Sequence, residues 1–515
     1  MDRFTTGSVA AAALFAGLAM EARPAQAEPS NVLMRQITNI TTGTIDSVQL
    51  RLQDARSIAF VSNGDVMGPG TQTANRQVYF WQENKDTGLG TITKLTNGVG
   101  CDSYDATRPT DDVFSDRPTA IFFVSTCNHD PSVGNGDGNP EIFIYKFDTS
   151  SIHQLTDTAA PVVNGEPFAS DSGLCLVFSS NGNLDNNLPS NPNYDSNHPG
   201  PGFTNPDGSR EVFYYGKLKG KTAGYPYDAT TVQVSNGPGG TSSGHPAVGG
   251  YWFPRQCQTV AYHSDHIQIG QGVVGQGIYV YKTPASALEE VVAAEIPNGF
   301  PDGIYANPSI SQASPFARGP HVVFEGEPDL WNNGSLGHNI YNWRDFHPRM
   351  TQYTNLGAGF TAVDPQVADG GGVYFFSSNG EILSQDHTLR TGEAPPFNAD
   401  ANYEIYRLKG RRRVTQITDT TGCHNSKPAL MDDGGRAAFL SNCDLIAGEN
   451  AGGLTQVFLW GLEKADHPLM SEAACQQADG CCIASRKLTT CYHSLKGKKP
   501  KISRPNCLVN PRGCQ

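Results

Sequence analysis

Few residues of this 515-residue chain stand at a spacing that does chemistry by itself. Gly240-Thr241-Ser242-Ser243-Gly244 matches the G-x-S-x-G pattern of a serine nucleophile. That pattern needs a sharp turn from a strand into a helix, which lifts the hydroxyl clear of the backbone. Its flanks here are Gly-Pro-Gly and His-Pro, which read as a loop, so no catalytic residue is assigned. Asn135-Gly136-Asp137-Gly138-Asn139 and Asn205-Pro206-Asp207-Gly208 collect side-chain oxygens around glycines, as calcium loops do. Asp137, Asn139 and Asp207 are therefore the candidate calcium ligands. The competing reading is turn chemistry, because Asp-Gly is a favoured hairpin pair and neither loop has full EF-hand spacing. His263 with His266, and His338 with His347, stand close in sequence. Strand and loop geometry does not bring such pairs onto one face as a helix would, so they read as surface or rim residues. Asn39-Ile40-Thr41 and Asn333-Gly334-Ser335 are formal glycan acceptors.

The twelve cysteines carry a different chemistry. An even count in an exported chain points to disulfides. Cys101 and Cys127 bracket one repeat unit as Cys423 and Cys443 bracket another, so Cys101–Cys127 and Cys423–Cys443 are the expected bridges. Cys175 and Cys257 begin the aromatic strands of neighbouring units and form a third candidate pair. Cys475, Cys481, Cys482, Cys491, Cys507 and Cys514 allow fifteen connectivities. Their irregular spacing and the vicinal Cys481-Cys482 suit a zinc site poorly.

The expectation of export rests on the first residues. Arg3 precedes an apolar run, Val9 to Met20, and Ala25-Gln26-Ala27 has the form of a cleavage site. Residues 1–27 are read as a signal peptide, and the run is too short to span a bilayer comfortably. No later stretch reads as a transmembrane segment. The formal net charge is -13, yet from Cys475 onward eight basic residues face one acid, Asp479. An acidic body argues against nucleic acid as partner. The basic, cysteine-rich tail, residues 466–515, can contact an anionic surface.

The elements that must position all this are short strands. Charged residues are 17% of the chain, and 56 Gly and 34 Pro punctuate brief apolar runs. One pattern recurs seven times. A strand such as Ile121-Phe122-Phe123-Val124-Ser125 leads through a Gly/Asn/Asp loop to an aromatic strand such as Glu141-Ile142-Phe143-Ile144-Tyr145. A shorter strand follows, such as His153-Gln154-Leu155-Thr156. The stretch after Tyr281 carries the third strand only weakly. Asn307 to Ile310 and Lys427 to Leu430 are candidates for a fourth. No such unit can cover both of its apolar faces alone, so the expected fold is all-β, a seven-bladed propeller over residues 28–465. The last unit lacks its third strand, and Met34-Arg35-Gln36-Ile37-Thr38 supplies a matching orphan at the other end. The ring is expected to close with it.

The repeat over Ile121 to Thr156 resembles the unit of the TolB-like, or PD40-repeat, propeller family. The resemblance covers roughly Asn31 to Leu462 and implies the fold. It does not imply an activity, since propellers host unrelated functions. The repeats are expected to begin almost at once after the signal segment, without a counterpart of TolB's separate N-terminal domain, so the resemblance does not imply a Tol-Pal role. The leading expectation is an exported, periplasmic or secreted, non-enzymatic scaffold that binds a protein or peptide partner and is monomeric, with no cofactor. The alternatives are a hydrolase or lyase acting in the central funnel, and a calcium-stabilised carbohydrate- or surface-binding module. Convergent carboxylates and histidines in the funnel favour the enzyme. A plain channel beside an apolar rim favours the partner.

Overall fold

A computed structural model describes residues 32–51, 57–84, 90–112, 115–170, 173–184, 205–216, 230–251, 257, 259–266, 277–282, 287–290, 305–313, 320–327, 337–344, 350–369, 371–380, 382, 398, 400–410, 413–431, 434–462, 482–485, 488–495 and 498–503. The signal segment, the loops 185–204 and 383–397, the acceptor Asn333 and four of the tail cysteines lie outside them. The chain divides into two compact units, 33–461 and the two terminal segments together.

Unit 33–461 carries seven sheets among the described residues, antiparallel except where Gln312–Ala313 pairs in parallel with Gly250 and Tyr251. Blade I is Ile45–Arg51, Ser57–Ser62, Gln77–Glu83 and Gly90–Lys94. Blade II is Ser103–Tyr104, Ser115–Ser125, Glu141–Lys146 and Ser151–Gln154. Blade III is Asn164–Ala169, Cys175–Ser180, Glu211–Gly216 and Thr230–Gln233. Blade IV is Ser243–Tyr251, Thr259–Ser264, Gly277–Lys282 and Ala287–Glu290. Blade V is Tyr305–Ile310, His321–Gly326, Asn339–Arg344 and Thr351–Gln352. Blade VI is Ala362–Val367, Val373–Ser378, Glu404–Lys409 and Arg413–Gln416. Blade VII is Asn425–Leu430, Arg436–Ser441 and Gln456–Leu462, completed by Val32–Gln36. Each blade touches the next, and VII touches I, so the ring is closed.

Second and third strands are buried between neighbouring blades; every residue of Ser57–Ser62, Cys175–Ser180 and Val373–Ser378 is buried. That explains their unbroken apolar runs, where a half-exposed strand would alternate. One stacked aromatic pair recurs at the same register of every blade: Phe60–Tyr79, Phe123–Phe143, Phe178–Phe213, Tyr262–Tyr279, Phe324–Tyr341, Phe376–Tyr406 and Phe439–Phe458. Such cross-strand pairs contribute about 0.5–1.5 kcal/mol beyond their buried area.

A second recurrent device explains the Thr or Ser that ends the third repeat strand. The first residue of the blade's third strand is a buried amide or carboxylate. It is Gln77, Glu141, Glu211, Asn339, Glu404 or Gln456. It accepts from the hydroxyl just past the outer strand, as in Thr96 Oγ1 to Gln77 Oε1 at 2.9 Å and Thr354 Oγ1 to Asn339 Oδ1 at 2.9 Å. The same hydroxyl oxygen accepts a backbone N–H from the third strand, as from Ile142 to Thr156 Oγ1 at 2.9 Å and Ile405 to Thr418 Oγ1 at 2.8 Å. In blade VII this latch is the ring closure itself. Thr38 Oγ1 donates to Gln456 Oε1 at 2.8 Å, and Ile37 N donates to Val457 O at 2.8 Å. Glu141 and Glu404 also accept from Asn164 Nδ2 and Asn425 Nδ2 of the following blade, at 3.0 and 2.9 Å.

Three disulfides join the described residues: Cys101–Cys127, Cys423–Cys443 and Cys175–Cys257. The first two tie the connection entering blades II and VII to the end of the second strand. The third links blade III to blade IV. In the other unit, Cys482–Ser485, Leu488–Leu495 and Lys498–Ser503 form a three-stranded antiparallel sheet where the sequence showed only a tail. Among the described residues no helix is long and apolar enough to cross a membrane.

Candidate functional site

The inner strands of the blades bulge at one matched position. The ladder skips between Ile45 and Ser47, Gly165 and Phe168, Gly244 and Ala247, Ala306 and Ser309, Val363 and Gln366, and Ser426 and Ala429. The residues thrown out of the ladder are Asp46, Glu166, His245, Asn307, Asp364 and Lys427. Asp105 takes this place in blade II. Six of the seven are held in the left-handed region, at φ between 45° and 55°, and Asp46 is the exception. Each such non-glycine conformation costs about 1–3 kcal/mol and persists only where its surroundings impose it. In five blades a proline follows and removes the next backbone donor from the ladder. A bulge re-aims the side chain it carries, and here it turns one polar residue per blade toward its neighbours at the centre of the ring.

These residues are joined blade to blade. His245 N donates to Glu166 Oε2 at 2.7 Å, Asp364 N to Glu325 Oε2 at 2.8 Å, and Lys427 Nζ to Asp46 O at 2.6 Å. Asp105 is hydrogen-bonded by the Glu166 backbone, and Asp364 by that of Lys427.

One group stands out over blades III and IV. His245 Nε2 lies 3.2 Å from Glu166 Oε1, and Arg210 Nη2 lies 3.2 Å from Glu166 Oε2. Ser179 Oγ donates to Glu166 Oε2 at 3.0 Å and accepts from Arg210 Nη2 at 2.8 Å. The His245 side chain is 49% exposed and Arg210 39%, while Glu166 behind them is 17% exposed. Burial alone would raise the Glu166 carboxyl, but His245, Arg210, the His245 N–H and Ser179 outweigh it and hold the group below its ordinary value. The His263 ring packs 4.8 Å from that of His245. Burial, seconded by His245, pushes His263 down to about 4, so it is neutral at pH 7. Its Nδ1 is buried without a hydrogen-bond partner.

A second group lies over blades V and VI. Glu325 accepts from Asn307 Nδ2 at 2.7 Å, and His338 Nε2 stands 3.8 Å from Glu325 Oε1. Burial, with Glu325 adding and Lys427 opposing, pushes Asp364 up to about 6. The ring thus carries an ionised carboxylate–imidazole pair over blades III and IV and, over blades V and VI, a carboxyl that loses its proton only as pH rises through about 6.

Sequence-level candidates land elsewhere. Asp137 and Asn139 belong to the loop between second and third strands of blade II, and Asp207 to that of blade III, so the three do not converge. Asp137 Oδ2 accepts from Ala160 N at 2.7 Å, Asn139 Nδ2 donates to Glu141 Oε1 at 2.9 Å, and Asp207 Oδ1 accepts from Ser209 N at 3.1 Å. No cluster of three or more metal-ligating residues occurs among the described residues. Ser242, the serine of the G-x-S-x-G match, is half-buried just before an inner strand, with its N–H on Asp265 Oδ1 at 2.7 Å and no helix following it to make an elbow. The rim reading of two histidines is corrected. His263 is a buried residue of the second strand of blade IV, and His338 is only 14% exposed beside Glu325. His263 is next to last in its strand, and His338 stands just before the third strand of blade V, bridged to Thr361 at the entry to blade VI. The ring residues were missed because the side chain changes among five types around the seven blades. Their shared signal is the residue-proline pair inside the inner strand: Glu166-Pro167, His245-Pro246, Asn307-Pro308, Asp364-Pro365 and Lys427-Pro428.

No protein-family model and no curated protein matches the chain. Among solved structures it is similar to an oligogalacturonate lyase from Vibrio parahaemolyticus, with 10% identity, TM-score 0.44 and coverage of 82% of this chain and 98% of that one. It is also similar to the β-propeller domain of the Trilobed protease from Pyrococcus furiosus, at 11% identity, TM-score 0.41, 81% and 95%. A putative TolB from Agrobacterium tumefaciens gives 14% identity, TM-score 0.31, 69% and 84%. Likenesses this distant concern chain architecture alone; the seven-bladed ring stands on its own sheets, latches and closure.

Proposed function

We propose that the funnel over blades III to VI is an acid–base site and that the chain is a propeller enzyme of the hydrolase or lyase class. The observation that carries this is the solvent-facing His245 imidazole held 3.2 Å from the ionised, largely buried Glu166. With Nε2–H given to Glu166, the Nδ1 lone pair is the proton acceptor. Glu166 fixes the ring and offsets the positive charge that forms on it. Arg210, half turned to solvent, holds an anionic group of the substrate or the charge developing beside the base. Asp364 supplies the complementary proton, since environments that drive two groups apart in pKa assign them opposite roles. Neutral His263 packs behind His245 and keeps a second positive charge away from it.

The protein is read as exported, in the periplasm or secreted, and its repeat as TolB-like on the Ile121 to Thr156 unit. Three disulfides and the absence of a membrane-crossing helix among the described residues support that location. The scaffold reading is favoured by a separate observation. Met67, Val99, Val133 and Val163 are exposed on loops at the same end of blades I to III, Val99 at 93%. An apolar rim of that kind suits a protein partner.

The test is turnover by the purified protein of chromogenic esters, glycosides and amides. Uronate-containing oligosaccharides are added, because elimination beside a carboxylate needs a base next to a cation. Cleavage that is lost in His245→Ala and Glu166→Gln supports the enzyme. Cleavage that survives both overturns the site assigned to His245 and Glu166, and no cleavage together with specific capture of a partner that Val99→Asp abolishes supports the scaffold instead.

A further inference from the structure

Six blades carry the latch described above, and blade IV departs from it at every position. The third strand of blade IV begins at Gly277, where the others have Gln77, Glu141, Glu211, Asn339, Glu404 and Gln456. Register fixes the remaining equivalences. Gln154 pairs with Phe143 as Glu290 pairs with Tyr279. In four other blades the amide of this residue bridges to the carbonyl two residues on, from Gln36 to Thr38, Gln154 to Thr156, Gln233 to Ser235 and Gln352 to Thr354, at 2.7–2.9 Å. Glu290 has no amide hydrogen to give. The hydroxyl position, filled by Thr38, Thr96, Thr156, Ser235, Thr354 and Thr418, falls by sequence on Val292. One missing partner would leave a buried polar group stranded, which is expensive. By residue type, Gly277, Val292 and Glu290 offer none of the acceptor, the hydroxyl and the bridging amide. A blade that lost the device as a unit avoids that penalty and simply holds its outer strand less firmly.

The inner half of blade IV is, by contrast, pinned. Cys175–Cys257 ties the approach to its second strand to blade III, and Glu166 holds its inner strand through the His245 N–H and imidazole. We infer that blade IV is a split blade: its outer strands, Gly277–Lys282 and Ala287–Glu290, open as a separate low-stability unit while its inner strands and the rest of the ring stay closed. Local opening of this kind is set by how many packed and hydrogen-bonded groups hold a segment, so it is confined to the blade that lacks the latch. The inference is independent of the proposed activity, because His245 and His263 stand on the pinned strands.

Amide hydrogen exchange on the full chain tests it. Peptides covering Gly277–Lys282 and Ala287–Glu290 should exchange at least tenfold faster than those covering Glu141–Lys146 and Ser151–Gln154. The converse variant, Glu141→Gly with Gln154→Glu and Thr156→Val, removes the latch from blade II and should raise its outer-strand exchange about tenfold. A repair variant, Gly277→Gln with Glu290→Gln and Val292→Thr, should slow exchange in blade IV. A Cβ at Gly277 would lie 3.0 Å from the edge of the Tyr279 ring, so the ring must yield by a few tenths of an ångström. If the repair variant does not fold, the wild-type comparison and the blade II variant still decide. Equal protection of blades II and IV in the wild type overturns the inference. So does a blade II variant whose exchange is unchanged.

Discussion

Two arcs of one ring use the same backbone for opposite ends. The penultimate residue of the second strand faces the neighbouring blade near the axis. Across blades VII, I and II it is Leu440, Val61 and Val124, all buried and packed in apolar clusters. Across blades III to VI it is Ser179, His263, Glu325 and Ser377. Strand geometry, latch and aromatic pair are shared, apart from the missing latch of blade IV, so the difference is chemical. One arc is finished as core, where apolar burial contributes about 25 cal/mol per Å². The other keeps titratable groups in a crowded setting, where each must find a partner or change its charge. A propeller that only needed to stay closed would gain nothing from the second arc. That asymmetry points to work done over blades III to VI.

The sharpest way to break the contrast is by activity. His245→Ala or Glu166→Gln should lower kcat at least 100-fold on whichever substrate is turned over, the scale of a lost general base. Val124→Ala on the apolar arc should leave kcat within about threefold while destabilising the fold by about 1–2 kcal/mol. Steady-state kinetics beside a denaturant melt separate the two. Equal kinetic losses on both arcs would mean that stability, not chemistry, is being read.

Next in size are the staples. Cys423–Cys443 spans 20 residues on the closing blade VII, and Cys101–Cys127 spans 26 on blade II. Replacing Cys423 and Cys443 together by Ala should cost about 3 kcal/mol by the loop-entropy relation. The readout is the midpoint of chemical denaturation. A change under about 1 kcal/mol would show that the bridge only follows a geometry the strands already impose.

How much of this contrast is legible in the sequence follows from what repeats. The strands, the ring and its closure are readable because burial between blades demands the same apolar and aromatic types seven times over. The final Gln-Ile-Thr at the N-terminus is the latch of blade VII seen before its partner. Val61 and Ser377 occupy one structural position yet share no property, so the funnel does not repeat in residue type. Its identity lies in differences between units, and a pattern search averages differences away. Asp137, Asn139 and Asp207 drew attention because loops rich in oxygen resemble ion sites in one dimension. In three dimensions they lie on loops of two different blades, where Asp137 Oδ2, Asn139 Nδ2 and Asp207 Oδ1 take part in turn and latch hydrogen bonds while Asn139 Oδ1 is buried without a partner.

A pair of reciprocal substitutions sharpens the comparison at smaller scale. Val61→Thr puts a hydroxyl into a position with no exposure and should destabilise by about 1–3 kcal/mol. Ser377 is equally buried, and its hydroxyl has no hydrogen-bond partner. Ser377→Ala should therefore be neutral or stabilising by up to about 1 kcal/mol. If both changes destabilise alike, the polar arc is satisfied by groups that the side chains themselves do not reveal.

The smallest expected effect is a pH dependence confined to the polar arc. Burial and Glu325 hold Asp364 up at about 6, against an ordinary carboxyl near 3.8, while Lys427 and His245 pull the other way. The native state therefore keeps this proton where the unfolded chain has released it. Its contribution is most favourable below pH 4 and is lost as pH rises through about 6, because linkage makes stability fall wherever the folded state binds more protons. Asp364→Asn has no proton to lose. The variant's Tm relative to wild type should accordingly climb by roughly a few degrees between pH 4 and pH 7. The Val61→Thr difference, which involves no titrating group, should stay flat over that range. A flat Asp364→Asn difference would mean that the Asp364 carboxylate is ionised without penalty. The proton donor would then have to be sought elsewhere around the ring, and the opposed roles given to Asp364 and His245 would fall together.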